Sequence, residues 1–257
     1  MKTQIKFLAI ILTLGIFFQS CSSDDDGGGS IDAPVITDFE YGEGDSHSTE
    51  PVAYKGSDLH LEAEIYAEGV ISSITVEIHA HDLELAEGEV DWDFEQVYDG
   101  AEYQVINAEF HEHIDIPSNI PAGVYHVEFI VTDELGNITE EEGHLDILDP
   151  ITISAFEMDA TAARGGDFHV EFLVDAHNGI HEISVDVHAH GLTVNPGEVE
   201  WDYEEVFSDY HDLTEAEFHE HIDIPATAPA GEYHVTFTVE DENGNTQTYE
   251  SHIDITA

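Results

Sequence analysis

Cysteine, lysine and arginine are almost missing from this chain of 257 residues, and each shortage removes a class of function. A single cysteine, Cys21, excludes an intramolecular disulfide framework and a thiolate metal cluster. Only Lys2, Lys6, Lys55 and Arg164 are basic, against 58 acidic residues and a formal charge of −54. No basic patch exists to neutralise phosphates, so nucleic acid is not an expected partner. Docking on anionic lipid is disfavoured for the same reason. Also missing are a Gly-rich phosphate loop, a nucleophile elbow and a second thiol. Carboxylates are so abundant that no pair stands out as acid and base. The expectation is a binding protein and not an enzyme. Cations suit such a surface, although the same charge also serves plain solubility. The apolar share, 41% with 10% aromatic, is nevertheless too high for a disordered acidic tail.

Long apolar runs are scarce as well. The one from Phe7 to Phe18 follows Lys2 and Lys6 and is too short to span a bilayer, so it reads as a signal segment. Phe18-Gln19-Ser20-Cys21 resembles a bacterial lipoprotein box with Phe18 in place of the usual Leu. That resemblance implies removal of residues 1–20 and lipidation of Cys21. Ser22-Ser23-Asp24-Asp25-Asp26 looks like the acidic surface-export signal of Bacteroidetes lipoproteins. The expected location is therefore the outer membrane, lipid-anchored and exposed at the cell surface, with the anchor as the only membrane contact. Gly27-Gly28-Gly29-Ser30 supplies flexibility, making residues 21–32 an acidic, glycine-rich linker.

What the chain does have is a repeat. His79-Ala80-His81 returns as His188-Ala189-His190, and Gly88–Glu95 returns, conservatively varied, as Gly197–Glu204. Ala108–Pro117 returns unchanged as Ala216–Pro225. Two domains are expected, over residues 33–148 and 149–257. In the first, Leu59, Leu61, Ala63 and Ile65 alternate with mostly polar residues, as do Ile74, Val76, Ile78 and Ala80. Phe110, Ile114 and Ile116 form a third run, Tyr125 to Val131 a fourth, and Leu145 and Ile147 a last one. Period-two runs broken by Gly, Pro and Asn predict an all-β fold of two tandem immunoglobulin-like antiparallel β-sandwiches. A helical turn is expected only near Glu95 to Tyr98. The pattern Ile-Pro-x-x-x-Pro-Ala-Gly-x-Tyr-His-Val, followed by Asp-Glu-x-Gly-Asn, resembles the tandem immunoglobulin-like domains of Bacteroidetes surface lipoproteins, a domain-of-unknown-function family. The resemblance implies fold and location but no activity.

Histidine is the residue in excess, at 18. Fourteen fall in equivalent pairs: His60 and His169, His79 and His188, His81 and His190, His111 and His219, His113 and His221, His126 and His234, His144 and His252. His47, His177, His181 and His211 have no counterpart and carry no expected role. Every paired histidine is out of step with the apolar set of its strand, so all are expected on outward faces. Immunoglobulin strand order would gather His79, His81, His126 and His144 on one sheet, and His60, His111 and His113 on the other. The two groups should lie near the same end of the sandwich but remain separate sites. Imidazoles at i and i+2 with a cross-strand third suit divalent transition metals, Zn or Cu above all and Ni as well. Glu77, Glu128, Glu109 and Asp146 are available as carboxylate ligands or supports. The alternative is exposed histidine merely decorating a sheet or titrating with pH. Location alone suggests an outer-membrane transporter as the recipient of captured metal.

Two further features have competing readings. Trp92 and Trp201 would offer either a glycan- or protein-binding platform on acidic loops or, as the alternation Val90-Trp92-Phe94 favours, a cap on the sandwich. Asp241-x-Asn243-Gly244-Asn245 fails the spacing of a calcium loop and fits a hairpin turn.

Overall fold

The computed structural model describes residues 31–44, 46–80, 82–189 and 191–257. The expected signal segment, Cys21, most of the linker, His81 and His190 lie outside the described residues. The first sandwich comprises β1 (Val35–Glu43), β2 (Val52–Tyr54), β3 (Asp58–Tyr66), β4 (Ile71–Ala80), β5 (Asp93–Tyr98), β6 (Asn107–Asp115), β7 (Gly123–Asp133) and β8 (Ile138–Leu148). The second comprises β9 (Ile151–Met158), β10 (Thr161–Ala163), β11 (Asp167–Ala176), β12 (Ile180–Ala189), β13 (Tyr203–Phe207), β14 (Glu215–Asp223), β15 (Gly231–Asp241) and β16 (Thr246–Thr256).

Each sandwich pairs a three-stranded sheet, β1-β3-β6 or β9-β11-β14, with a five-stranded one, β2-β8-β7-β4-β5 or β10-β16-β15-β12-β13. The short strands β2 and β10 run parallel to β8 and β16; the other neighbours are antiparallel. This is an immunoglobulin-like arrangement, in which the third, sixth and seventh main strands share a sheet and the second pairs with the fifth. The hydroxyl of Tyr125, early in β7, donates to the Pro121 carbonyl at 2.8 Å, and Tyr233 donates to Pro229 at 3.0 Å. These are the tyrosine corners of such folds.

With no disulfide between the sheets, aromatic packing joins them. Phe110 meets Phe129 at 5.0 Å and 71°, and Tyr98 meets Phe110 edge-on at 5.0 Å. In the second copy Phe218 packs across the sheets on Phe207 and Phe237. Such pairs contribute roughly 0.5–1.5 kcal/mol each beyond their buried area. Bulges at the same place in both first strands, with Asp38 at φ 50° and Ala155 at φ 49°, turn Phe39 and Phe156 onto these cores.

The stretch from Glu95 to Tyr98 is no helical turn: it belongs to edge strand β5, paired with β4. Its alternation is masked because, beyond Phe94 and Tyr98, the strand faces solvent and carries acids. The Trp92 and Trp201 side chains are buried against Tyr125 and Tyr233 at 5.6 and 5.3 Å, so they cap the cores and offer no exposed stacking platform. The two basic residues among those described occupy equivalent places. Lys55 pairs with Glu89 at 3.1 Å, and Arg164 with Glu198 at 3.0 Å. Lys55 also reaches Asp149 at 2.7 Å, where the chain passes into the second sandwich.

Candidate metal centres

Strand pairing sets the histidines in rows. On the five-stranded sheet β7 lies between β4 and β8, in a register that places His126 opposite both His79 and His144. Ring centroids are 5.4 and 5.2 Å apart along this ladder. The second copy repeats it, with His234 opposite His188 and His252 at 5.5 and 4.3 Å. One ligand atom each of His79, His126 and Glu128 lies within 4.8 Å of the others. Glu128 stands 3.2 Å from Nδ1 of His126.

On the three-stranded sheet β3 is central. His60 is flanked by Gly42 of β1 and His113 of β6, while His111 faces Glu62. The second copy matches His169 to His221 and Glu171 to His219. Nδ1 of His113 is hydrogen-bonded to Asp58, and Nδ1 of His221 to Asp167 at 2.6 Å. A carboxylate holding one ring nitrogen while the other remains available is the support that metal-ligating histidines characteristically have. The sequence pointed to other carboxylates for this part; Asp58 and Asp167 occupy equivalent positions two residues before His60 and His169, which is the signal that would have found them.

His60 departs from expectation. It was expected exposed, and it is only 3% exposed. The cause is the connection from β1 to β2, whose residues 46–51 fold back over the sheet. Gly44 donates to the Asp58 carbonyl at 3.0 Å and Ser48 to that of Glu43 at 3.0 Å. A Cβ on Gly42 would strike the carbonyl oxygens of Ser48 and Glu50, so glycine is what lets this loop lie flat. The loop sets the ring of His47 4.5 Å from His60, 5.3 Å from His113 and 5.4 Å from His111. Ligand atoms of His47, His60 and His111 converge within 4.8 Å, as do those of His169, His219 and His221. Burial is the main cause that pushes the His60 imidazole below its ordinary pKa; His111, His47 and His113 add to it, and Glu62 opposes.

Both ring nitrogens of His60 are buried without a hydrogen-bond partner. Glu62 comes no closer to Nε2 than 3.6 Å. Such groups are rare in folded proteins.

The unpaired histidines prove to be placed too. His47 roofs the first cluster. His181 and His211 converge with Glu242, 2.8 Å from His211 Nδ1 and 3.5 Å from His181 Nδ1, at the far end of the second sandwich from its ladder. His177 stacks on Tyr54 at 3.7 Å and pairs with Glu43 across the junction of the sandwiches. Asp241 is spent on a hairpin: it accepts bonds from the amides of Asn243 and Asn245 and from the side chains of Asn245 and Asn178.

A family model described as a domain of unknown function, DUF4625, matches residues 19–148 and again residues 149–256. The chain belongs to this family. Its two DUF4625 copies are the two sandwiches. No curated protein matches the chain. Among solved structures, it is similar to a tetra-tandem repeat in the extending region of a large adhesion protein, at 12% identity and a TM-score of 0.34, over 88% of this chain and 50% of that one. The chain thus spans half the length of that structure. It is also similar to the first two immunoglobulin domains of DIP-gamma, at 10% identity and a TM-score of 0.33, over 88% of this chain and 99% of that one. A bacterial ice-binding adhesin follows, at 11% identity and a TM-score of 0.34, over 89% and 67%. At these scores the neighbours carry no argument about what the DUF4625 copies bind.

Proposed function

We propose that this protein is a non-catalytic, lipid-anchored surface module that captures divalent transition-metal ions, Zn²⁺ or Cu²⁺ foremost, through its histidine clusters. The observation that carries this is His60. An imidazole with both nitrogens buried and unpartnered, ringed by three other imidazoles, lacks what buried polar groups need, and a cation bound there supplies it. Repetition in a second copy, with the same carboxylate support, adds to it. The acidic surface would concentrate cations around these sites. Delivery to an outer-membrane transporter follows only from the proposed location.

Titration calorimetry of the metal-free protein with Zn²⁺, Cu²⁺, Ni²⁺ and Ca²⁺ tests the proposal. The expected result is tight transition-metal binding that weakens sharply as pH falls past about 6.5, where protons compete for imidazole. Equal, weak and salt-screened binding of all four ions would contradict it.

A further inference from the structure

The two three-stranded-sheet clusters are built from the same strands, yet one is roofed and the other is not. In the first copy eight residues connect β1 to β2, and of these residues 46–51 fold over the sheet and bring in His47 as an extra imidazole. In the second copy only residues 159–160 join β9 to β10. Asp159 uses its carboxylate on the amide of His169, and among the described residues no imidazole comes over the top. The His60 side chain is 3% exposed and that of His169 28%. His219 and His221 are half exposed, and each faces a carboxylate, Glu171 or Asp167.

Resting on the metal assignment above, we infer that the two copies hold their ions differently. The cluster of His47, His60 and His111, with His113 beside it, is a closed site that retains its ion. The cluster of His169, His219 and His221 is an open site whose ion keeps a position for an outside donor. Closed coordination spheres serve as fixed sites, and three protein ligands leave a fourth position for water or an incoming group. The first copy has His113 as a fourth imidazole, 5.3 Å from both His47 and His60, whereas among the described residues the second copy has three. An incoming imidazole or carboxylate on another molecule is the chemical class that would occupy it. Exchange of metal with a partner would then pass through the second copy, while the first stays loaded.

The test uses the full chain with His126→Asn, His211→Asn and His234→Asn, which removes the middle of each ladder and the His181 cluster. Loaded with Zn²⁺ and mixed with excess chromogenic chelator, it should release its ions in two phases of equal amplitude. His60→Asn should remove the slow phase and His169→Asn the fast one. His47→Ala removes one imidazole of the closed site and should leave the fast phase unchanged while speeding the slow phase about tenfold or more, at least the scale on which loss of a mere support weakens a metal site. In the Cu²⁺-loaded protein, free imidazole should shift the visible spectrum of the His60→Asn variant and not that of His169→Asn. One phase releasing both ions, or a slow phase indifferent to His47→Ala, would overturn the inference while leaving metal binding intact. No bound zinc at either cluster would instead defeat the metal assignment itself.

Discussion

Leaving a buried imidazole without hydrogen bonds costs about 1–3 kcal/mol, and His60 carries that cost in the metal-free protein. Replacing it with leucine, similar in bulk and without polar atoms, should therefore stabilise the metal-free fold by about 1 kcal/mol while abolishing the first-copy site. Urea unfolding in the presence of chelator measures the gain. The advantage should grow in acid. The folded protein holds His60 below the usual pKa of 6.5, so the unfolded chain takes the proton first. Stability that is full above about pH 6.5 is lost as pH falls through that value, and leucine is immune to the loss. If the leucine variant is less stable at neutral pH, the nitrogens of His60 are not unsatisfied. Strand phase told correctly that His60 belongs to the outward face. It could not tell that the residue is buried, because burial comes from a loop that has no counterpart in the other copy. The same unmatched stretch was the available clue to His47.

Loops and strands differ in how much of them the sequence exposes. The five runs with period-two apolar patterns became β3, β4, β6, β7 and β8, since each buries one face. Strands β1, β2 and β5 were not legible. A bulge breaks the period of β1, β2 has three residues, and β5 is an acidic edge. The roof over the first cluster depends on Gly42, where a side chain meets loop carbonyls. Gly42→Val should lift the loop, destabilise the fold by about 1–3 kcal/mol and expose His60 to solvent exchange, read by side-chain NMR. At the opposite end, the Asp133 carboxylate is buried, which would raise its pKa. Bonds from the Asn137 side chain and from the amides of Asn137 and Leu135 outweigh this and hold it below the usual range. Asp133→Ala strands these donors and should lower the midpoint of thermal unfolding. Zinc titration of this variant should show an unchanged metal stoichiometry, because the hairpin lies away from the clusters.

Across the whole molecule, charge and duplication set the behaviour. With 58 acidic residues and four basic ones, like-charge repulsion opposes the compact state. Raising sodium chloride from about 10 mM to about 0.15 M shortens the screening length from about 30 Å to about 8 Å. The unfolding temperature should rise over that range, gradually and without ion preference. Micromolar Zn²⁺ should raise it further and saturably, because binding only to the folded state adds stability by mass action. Duplication made the domain count and the pairing of most histidines readable from sequence alone. The features that break the duplication were not readable as sites: His47, the His181, His211 and Glu242 cluster, and His177 against Tyr54 and Glu43 at the junction. The His181 and His177 groups join segments far apart in the chain, which no spacing records. The measurement that bears most directly on the central claim is anomalous diffraction at the zinc edge from crystals of the zinc-loaded protein. The account predicts a peak about 2.0–2.1 Å from ring nitrogens of His60, His47 and His111, with a second at His169, His219 and His221. Anomalous density confined to surface carboxylates, with the His60 nitrogens still unpartnered, would contradict it.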